Sequence, residues 1–147
     1  MRKRHEAVGR HLGFVPVRSN IGEQLLMTET ARQLSSIRPD IATTVIGATL
    51  DDVELMRSSK AFVTGTLDDQ EFDHLVDTYG ITNILISVTR PIFAHPILSR
   101  AALSHLPTAY FDWSAGRVKA RKYDLAIDPK LPLSNLIGVL NDWMPNS

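Results

Sequence analysis

The stretch Ile41-Ala-Thr-Thr-Val-Ile-Gly47 decides the fold. From Ile41 to Ile46 it is β-branched and nearly uninterrupted, as a strand buried on both faces reads, and Gly47 is expected to end it. Such a strand needs a layer of helix above and another below, which places it inside a parallel sheet. Working outward, Asn83 to Val88 repeats the pattern, and Ala61 to Val63 and Thr108 to Phe111 are shorter versions of it. Val8 to Val15, carrying Val8, Leu12, Phe14 and Val15, reads as the first strand, and Tyr123 to Ile127 as a candidate sixth. The first five runs are each expected to end at a small or polar residue: Gly13, Gly47, Gly65, Ser87 and Asp112.

Helical signals fill the gaps. Asn20 and Glu23 have capping-box spacing, and Leu26, Thr30, Leu34 and Ile37 then recur at helical intervals until Pro39. Asp51 with Glu54 opens a short helix through Met56. Asp68 with Glu71 opens another, with an apolar stripe of Phe72, Leu75, Val76 and Tyr79 that Gly80 terminates. A helix is expected after the loop from Thr89 to Pro91, ending near His105. Pro132 in a first turn starts a C-terminal amphipathic helix with Leu136, Ile137, Leu140 and Trp143. Strand and helix in alternation make a three-layer α/β/α, Rossmann-like domain over residues 7–147, with a mainly parallel, doubly wound sheet of five to six strands. Ligands of such sheets bind outside the carboxyl ends of the strands.

The 147 residues suit one domain, and 44% hydrophobic with 22% charged residues matches an ordinary globular chain. Sixteen basic residues balance sixteen acidic ones, so no net field draws nucleic acid or an anionic membrane. The basic cluster Met1-Arg-Lys-Arg-His5 reads as a tail or linker remnant over residues 1–6 and lacks a signal peptide's apolar stretch. No run of about 18 uncharged apolar residues exists to span a membrane. With no Cys there is no thiolate ligand or nucleophile. The five His, at 5, 11, 74, 95 and 105, do not pair at ligand spacing, so no metal is expected.

Other constellations fail on spacing. Ser87, His95 and Asp112 have the composition of a hydrolase triad, but the Gly-x-Ser-x-Gly turn is missing. Gly9-Arg-His-Leu-Gly13 is no dinucleotide fingerprint, and there is no Walker lysine loop. Asp51-Asp52 and Asp68-Asp69 begin helices, where the macrodipole favours acids without any catalytic role. Arg18 remains: a guanidinium just before a helix start at the end of the first strand would form a phosphate-binding corner with free backbone amides, and an exposed loop arginine is the equal alternative.

Four segments, Gly13-Phe-Val-Pro-Val-Arg18, Val45-Ile-Gly-Ala48, Phe62-Val-Thr-Gly65 and Leu106-Pro-Thr-Ala-Tyr-Phe-Asp112, occur in an order that resembles the C-terminal, nucleotide-sugar-binding domain of retaining GT-B-fold glycosyltransferases of the glycogen-synthase-like and sucrose-synthase-like group. The resemblance covers roughly residues 7–144. It implies half of a glycosyltransferase that moves a sugar from a nucleotide diphosphate sugar to a polysaccharide or lipid-linked acceptor. The partner half would be a preceding N-terminal domain, and the isolated 147-residue chain is expected to be inactive. The setting implied is cytoplasmic, at most peripheral to the inner face of the membrane, with the nucleotide sugar as donor substrate and no further cofactor.

By the same resemblance, Arg18, Ser19 and Asn20 would bind the donor phosphates, Gly65, Thr66 and Leu67 would meet the base, and Arg90, His95, Ser99 and Arg100 would lie on the sugar and ribose side. Asp112 to Ser114 would border the cleft. The chain departs from the family at three places: Phe14 stands where an Arg is usual, and the paired Glu positions counted back from Leu106-Pro107 hold Ile92 and Arg100. A carboxylate accepts two ribose hydroxyls, whereas Arg only donates and Ile does neither. That loss supports the alternative of a non-catalytic α/β interaction or small-ligand-binding module.

Overall fold

The computed structural model describes residues 10–15, 21–48, 52–64, 69–88, 106–113 and 123–144. Six strands form one sheet: β1 (His11–Val15), β2 (Ala42–Ala48), β3 (Ala61–Thr64), β4 (Asn83–Val88), β5 (Thr108–Asp112) and β6 (Leu125–Ile127). Their spatial order is β3-β2-β1-β4-β5-β6. Every ladder is parallel. The described helices are α1 (Ile21–Ile37), α2 (Val53–Arg57), α3 (Asp69–Tyr79) and α4 (Leu133–Trp143). The helix expected before His105 lies outside the described residues.

Apart from the β2 bulge the strands alternate between two cores, which is why most of their positions are apolar. Leu12, Phe14, Val45, Leu85, Ala109 and Phe111 face one layer with Met27, Ala31 and Leu34 of α1 and Leu136, Ile137 and Leu140 of α4. Val15, Ile46, Ile84, Ile86 and Tyr110 face the other, against Phe72 and Leu75 of α3. Central β1 is buried along its whole length.

Several boundaries differ from the sequence reading, each for a local reason. Gly13 does not end β1; it sits inside it, paired to Thr44 and Ile84. A Cβ there would lie 2.9 Å from Ile46 Cδ1 and 3.1 Å from Ile84 Cδ1, so the glycine makes room for two isoleucines of flanking strands. Gly47 likewise lies within β2. Its φ of 76° is a left-handed conformation that glycine adopts freely, and it marks a bulge where the register to β3 shifts between Ile46 and Ala48. β4 runs one residue past Ser87 to Val88, and β5 includes Asp112, whereas β6 starts only at Leu125. Gly65 is outside the described residues.

The helices follow the expected pattern with corrections at their ends. On α1 the buried face is Met27, Thr30, Ala31 and Leu34, and Ile37 is exposed. Thr30 tolerates full burial because its hydroxyl donates to the Leu26 carbonyl at 2.7 Å. The N-cap of α2 is Asp52 rather than Asp51, and it makes no side-chain capping bond. Gly80 ends α3 as expected: its φ is 69°, and the Ile81 amide returns to the Val76 carbonyl at 3.0 Å, a Schellman closure. Tyr79 is 43% exposed and so is not part of the α3 stripe. Pro132 occupies the N-cap of α4, one residue before its first turn, and its carbonyl accepts from the amides of Asn135 and Leu136.

Arg38 joins the two helices of one layer. Its guanidinium, 11% exposed, donates to the Met144 carbonyl at 2.6 Å and Asn141 Oδ1 at 2.9 Å beyond and within α4, and forms a two-pronged pair with Asp40. That bond raises the Arg38 pKa and lowers that of Asp40.

Candidate functional site at the carboxyl edge of the sheet

An all-parallel sheet has two chemically different edges. At the amino edge, polar groups satisfy one another. The His11 amide donates to Thr82 Oγ1 at 2.9 Å while the Thr82 amide returns to the His11 carbonyl. The Thr108 amide meets Asp124 Oδ1, and the Lys60 amide meets Thr43 Oγ1. His11 Nε2 lies 2.7 Å from Thr44 Oγ1, and its ring meets Tyr79 edge to face at 6.5 Å. Burial lowers the imidazole pKa, a hydrogen bond to the Tyr79 carbonyl opposes the shift, and the Lys60 charge adds to it. This is a neutral, structural histidine.

The opposite edge collects the carboxyl ends of the strands: Val15, Ala48, Thr64, Val88, Asp112 and Ile127. From β1 the chain proceeds to β2 and β3 on one side, and from β4 to β5 and β6 on the other. Connections leaving neighbouring strands in opposite directions leave a crevice at their carboxyl ends, the switch point where ligands of doubly wound sheets bind. Here it falls between β1 and β4. The link from Val15 to the amino end of the 17-residue helix α1 is residues 16–20.

All the donor-site residues expected from the sequence lie outside the described residues: Arg18, Ser19 and Asn20; Gly65, Thr66 and Leu67; Arg90, His95, Ser99 and Arg100. By their sequence positions they belong to the links that follow β1, β3 and β4. Ile92 is outside as well. Phe14, by contrast, is fully buried in the core shared with α1 and α4. Its position serves packing, and an Arg there would be a buried charge rather than a phosphate ligand.

A cleft of about 400 Å³ opens at the carboxyl ends of β5 and β6, lined by Asp112, Trp113 and the segment Ala126 to Lys130. Register brings its two walls together, because Phe111 pairs with Ile127. The Asp128 carboxylate accepts the Lys130 amide at 2.9 Å, folding the chain after β6 into a tight turn. Trp113 packs partly against the core, and its indole Nε1 is buried with no hydrogen-bond partner among the described residues. Asp112 and Trp113, expected at the border of the donor cleft, line this separate cleft, and Ser114 is outside the described residues. Pro129 and Lys130 were missed by sequence reasoning. Among the described residues no cluster of His, Asp or Glu suits a metal ion, and no helix is long and apolar enough to cross a membrane.

The fold and its edges define a class: an α/β protein of Rossmann-like architecture whose strand order reverses between β1 and β4. No family model, no curated protein and no solved structure matches the chain.

Proposed function

We propose that the chain is the donor-binding domain of a GT-B-type glycosyltransferase, holding a nucleotide diphosphate sugar at the β1/β4 crevice for transfer to a polysaccharide or lipid-linked acceptor. The observation that carries this reading is the all-parallel order β3-β2-β1-β4-β5-β6, with α1 following β1 after a five-residue link that contains Arg18. The sequence resemblance points to the same link for the donor phosphates.

The physical logic is local. The first amides of α1 lack intrahelical partners and, with the helix dipole, favour an anion. Arg18 adds a charge-assisted, forked donor next to them in sequence. Gly65 to Leu67 would offer backbone groups to the base, and Arg90, His95, Ser99 and Arg100 would face the sugar and ribose. Acceptor positioning would fall to a preceding domain.

Calorimetry with a nucleoside diphosphate and with its nucleoside tests this reading. Arg18→Ala should weaken the diphosphate by about 1.5–3 kcal/mol, about one to two decades in affinity, and leave the nucleoside nearly unchanged. Equal losses for both ligands, or no diphosphate binding by the wild-type chain, would sink the donor assignment and favour a module that keeps the fold without the activity.

A further inference from the structure

We propose that His11 is the pin of an acid-released latch that holds the last turn of α3 on the amino edge of the sheet. β1 turns His11, Gly13 and Val15 to one face, and Val15 lies in the layer packed by Phe72 and Leu75 of α3. His11 is the polar member of that face, only 6% exposed, and its ring ties β1 to two further elements. Nε2 meets Thr44 Oγ1 of β2 at 2.7 Å, and the other ring nitrogen meets the carbonyl of Tyr79, the last residue of α3.

These two partners fix where the ring proton sits. A carbonyl only accepts, so the nitrogen facing Tyr79 carries the hydrogen, and Nε2 is left bare to accept from the Thr44 hydroxyl. A second proton has no place in this arrangement. It would point at a hydroxyl that is itself fully buried and would have to turn its own hydrogen elsewhere. Among the described residues that meet the ring, none is acidic: β2 presents Thr44, the turn before β4 presents Thr82, and α3 presents Tyr79. Lys60, just before β3, adds a positive charge that opposes protonation. The remaining titratable groups of α3 from Glu71 onward, which are Glu71, Asp73, His74 and Asp77, are exposed.

An imidazolium at His11 therefore favours water, and the thinnest cover over it is the end of α3. Val76 is half-buried and Asp77, Thr78 and Tyr79 are exposed, whereas Phe72 and Leu75, one turn earlier, are anchored in the core. Gly80, at a φ of 69°, supplies the hinge, and the bond from the Ile81 amide to the Val76 carbonyl at 3.0 Å is the closure that breaks. Opening the sheet instead would cost more, because β1 is buried along its length and laddered on both sides. Acid thus loosens one turn before it unfolds the chain.

Hydrogen exchange on the full chain labelled with ¹⁵N reads the latch, each rate being divided by the intrinsic rate at the same pH. Between about pH 7.5 and 5 the Tyr79, Gly80 and Ile81 amides should lose protection by about 3–30-fold, thirty being the ceiling for a released ring of ordinary pKa 6.5. Their exchange should be nearly independent of urea up to about 1 M, the mark of a local opening, while the Phe14 amide in β1 exchanges more slowly and follows urea. In His11→Gln the acid-driven loss should vanish. The ring ¹⁵N shifts of the wild-type chain near pH 7.5 give a second reading that needs no variant: Nδ1 should carry the proton and Nε2 should be bare. The proposal is overturned by a loss under about 3-fold, or by exchange at Ile81 that follows urea as steeply as Phe14. It is equally overturned by an acid-driven loss that persists in His11→Gln, or by a neutral ring that carries its proton on Nε2.

Discussion

Gly13 is a tightly constrained position in the centre of the sheet, because Ile46 and Ile84 fill the space a side chain would take. Gly13→Ala crowds them, at about 1–3 kcal/mol. Reduced freedom of the unfolded chain returns about 0.4–1 kcal/mol. A net loss should therefore appear in urea titrations, and Ile46→Val, which removes the nearest methyl, should recover part of it in the double variant. Simple additivity of the two substitutions would show that crowding is not the cause. His11 sets the pH response at the same scale. Unfolded, its imidazole takes a proton near pH 6.5; folded, burial holds it neutral to lower pH. The unfolded state then binds more protons in that window, so stability is full above about 6.5, falls as pH drops below it, and levels once the folded imidazole is also protonated. His11→Gln should remove this slope between pH 7.5 and 5, and an unchanged slope would place the titrating group elsewhere.

Among elements, the α1–α4 tie has a clear asymmetry. Arg38 reaches a backbone carbonyl past the end of α4, while its Asp40 partner is 57% exposed. Arg38→Ala should cost about 1–3 kcal/mol, since it strips hydrogen bonds from a charged donor. Asp40→Ala should cost much less, because an exposed ion pair contributes little. Equal midpoint shifts in chemical denaturation would mean that the ion pair, not the helix tie, matters. Elements of this kind were unevenly legible in the sequence. Ile41 to Ile46 and Asn83 to Val88 announce buried strands because both faces are covered, and Gly80 announces a helix end because its role is local. Gly13 and Gly47 misled as strand ends: what fills the slot at Gly13, and where β2 bulges against β3, depend on neighbours far away in sequence. The β5/β6 cleft was not foreseen: Asp112 and Trp113 were expected to border a donor cleft instead. Pro129 and Lys130 join them only through the Phe111–Ile127 register, which no local pattern encodes. The expected donor residues lie in links outside the described residues, so the strand order locates the switch point without placing those side chains.

At the scale of the whole molecule, the strand order divides the chain at one seam. β1, β2 and β3 come from residues 11–64, and β4, β5 and β6 from residues 83–127; the two groups share the single parallel ladder from Leu12–Asn83 to Val15–Ile86. α4 crosses back to α1 through Arg38, and both cores hold residues from the two halves. Each half alone would expose the unpaired backbone edge of one central strand, a hazard that sheets normally cover. The chain should therefore behave as a natural split protein. Cut between Thr64 and Asp69, the two fragments should be poorly structured or aggregating apart and regain helical circular dichroism when refolded together. Two fragments that each fold independently and ignore one another would show that the seam is a boundary between autonomous units. Reassembly would make the same seam usable as a proximity reporter, with signal arising only where two fused partners bring the β1 and β4 edges together.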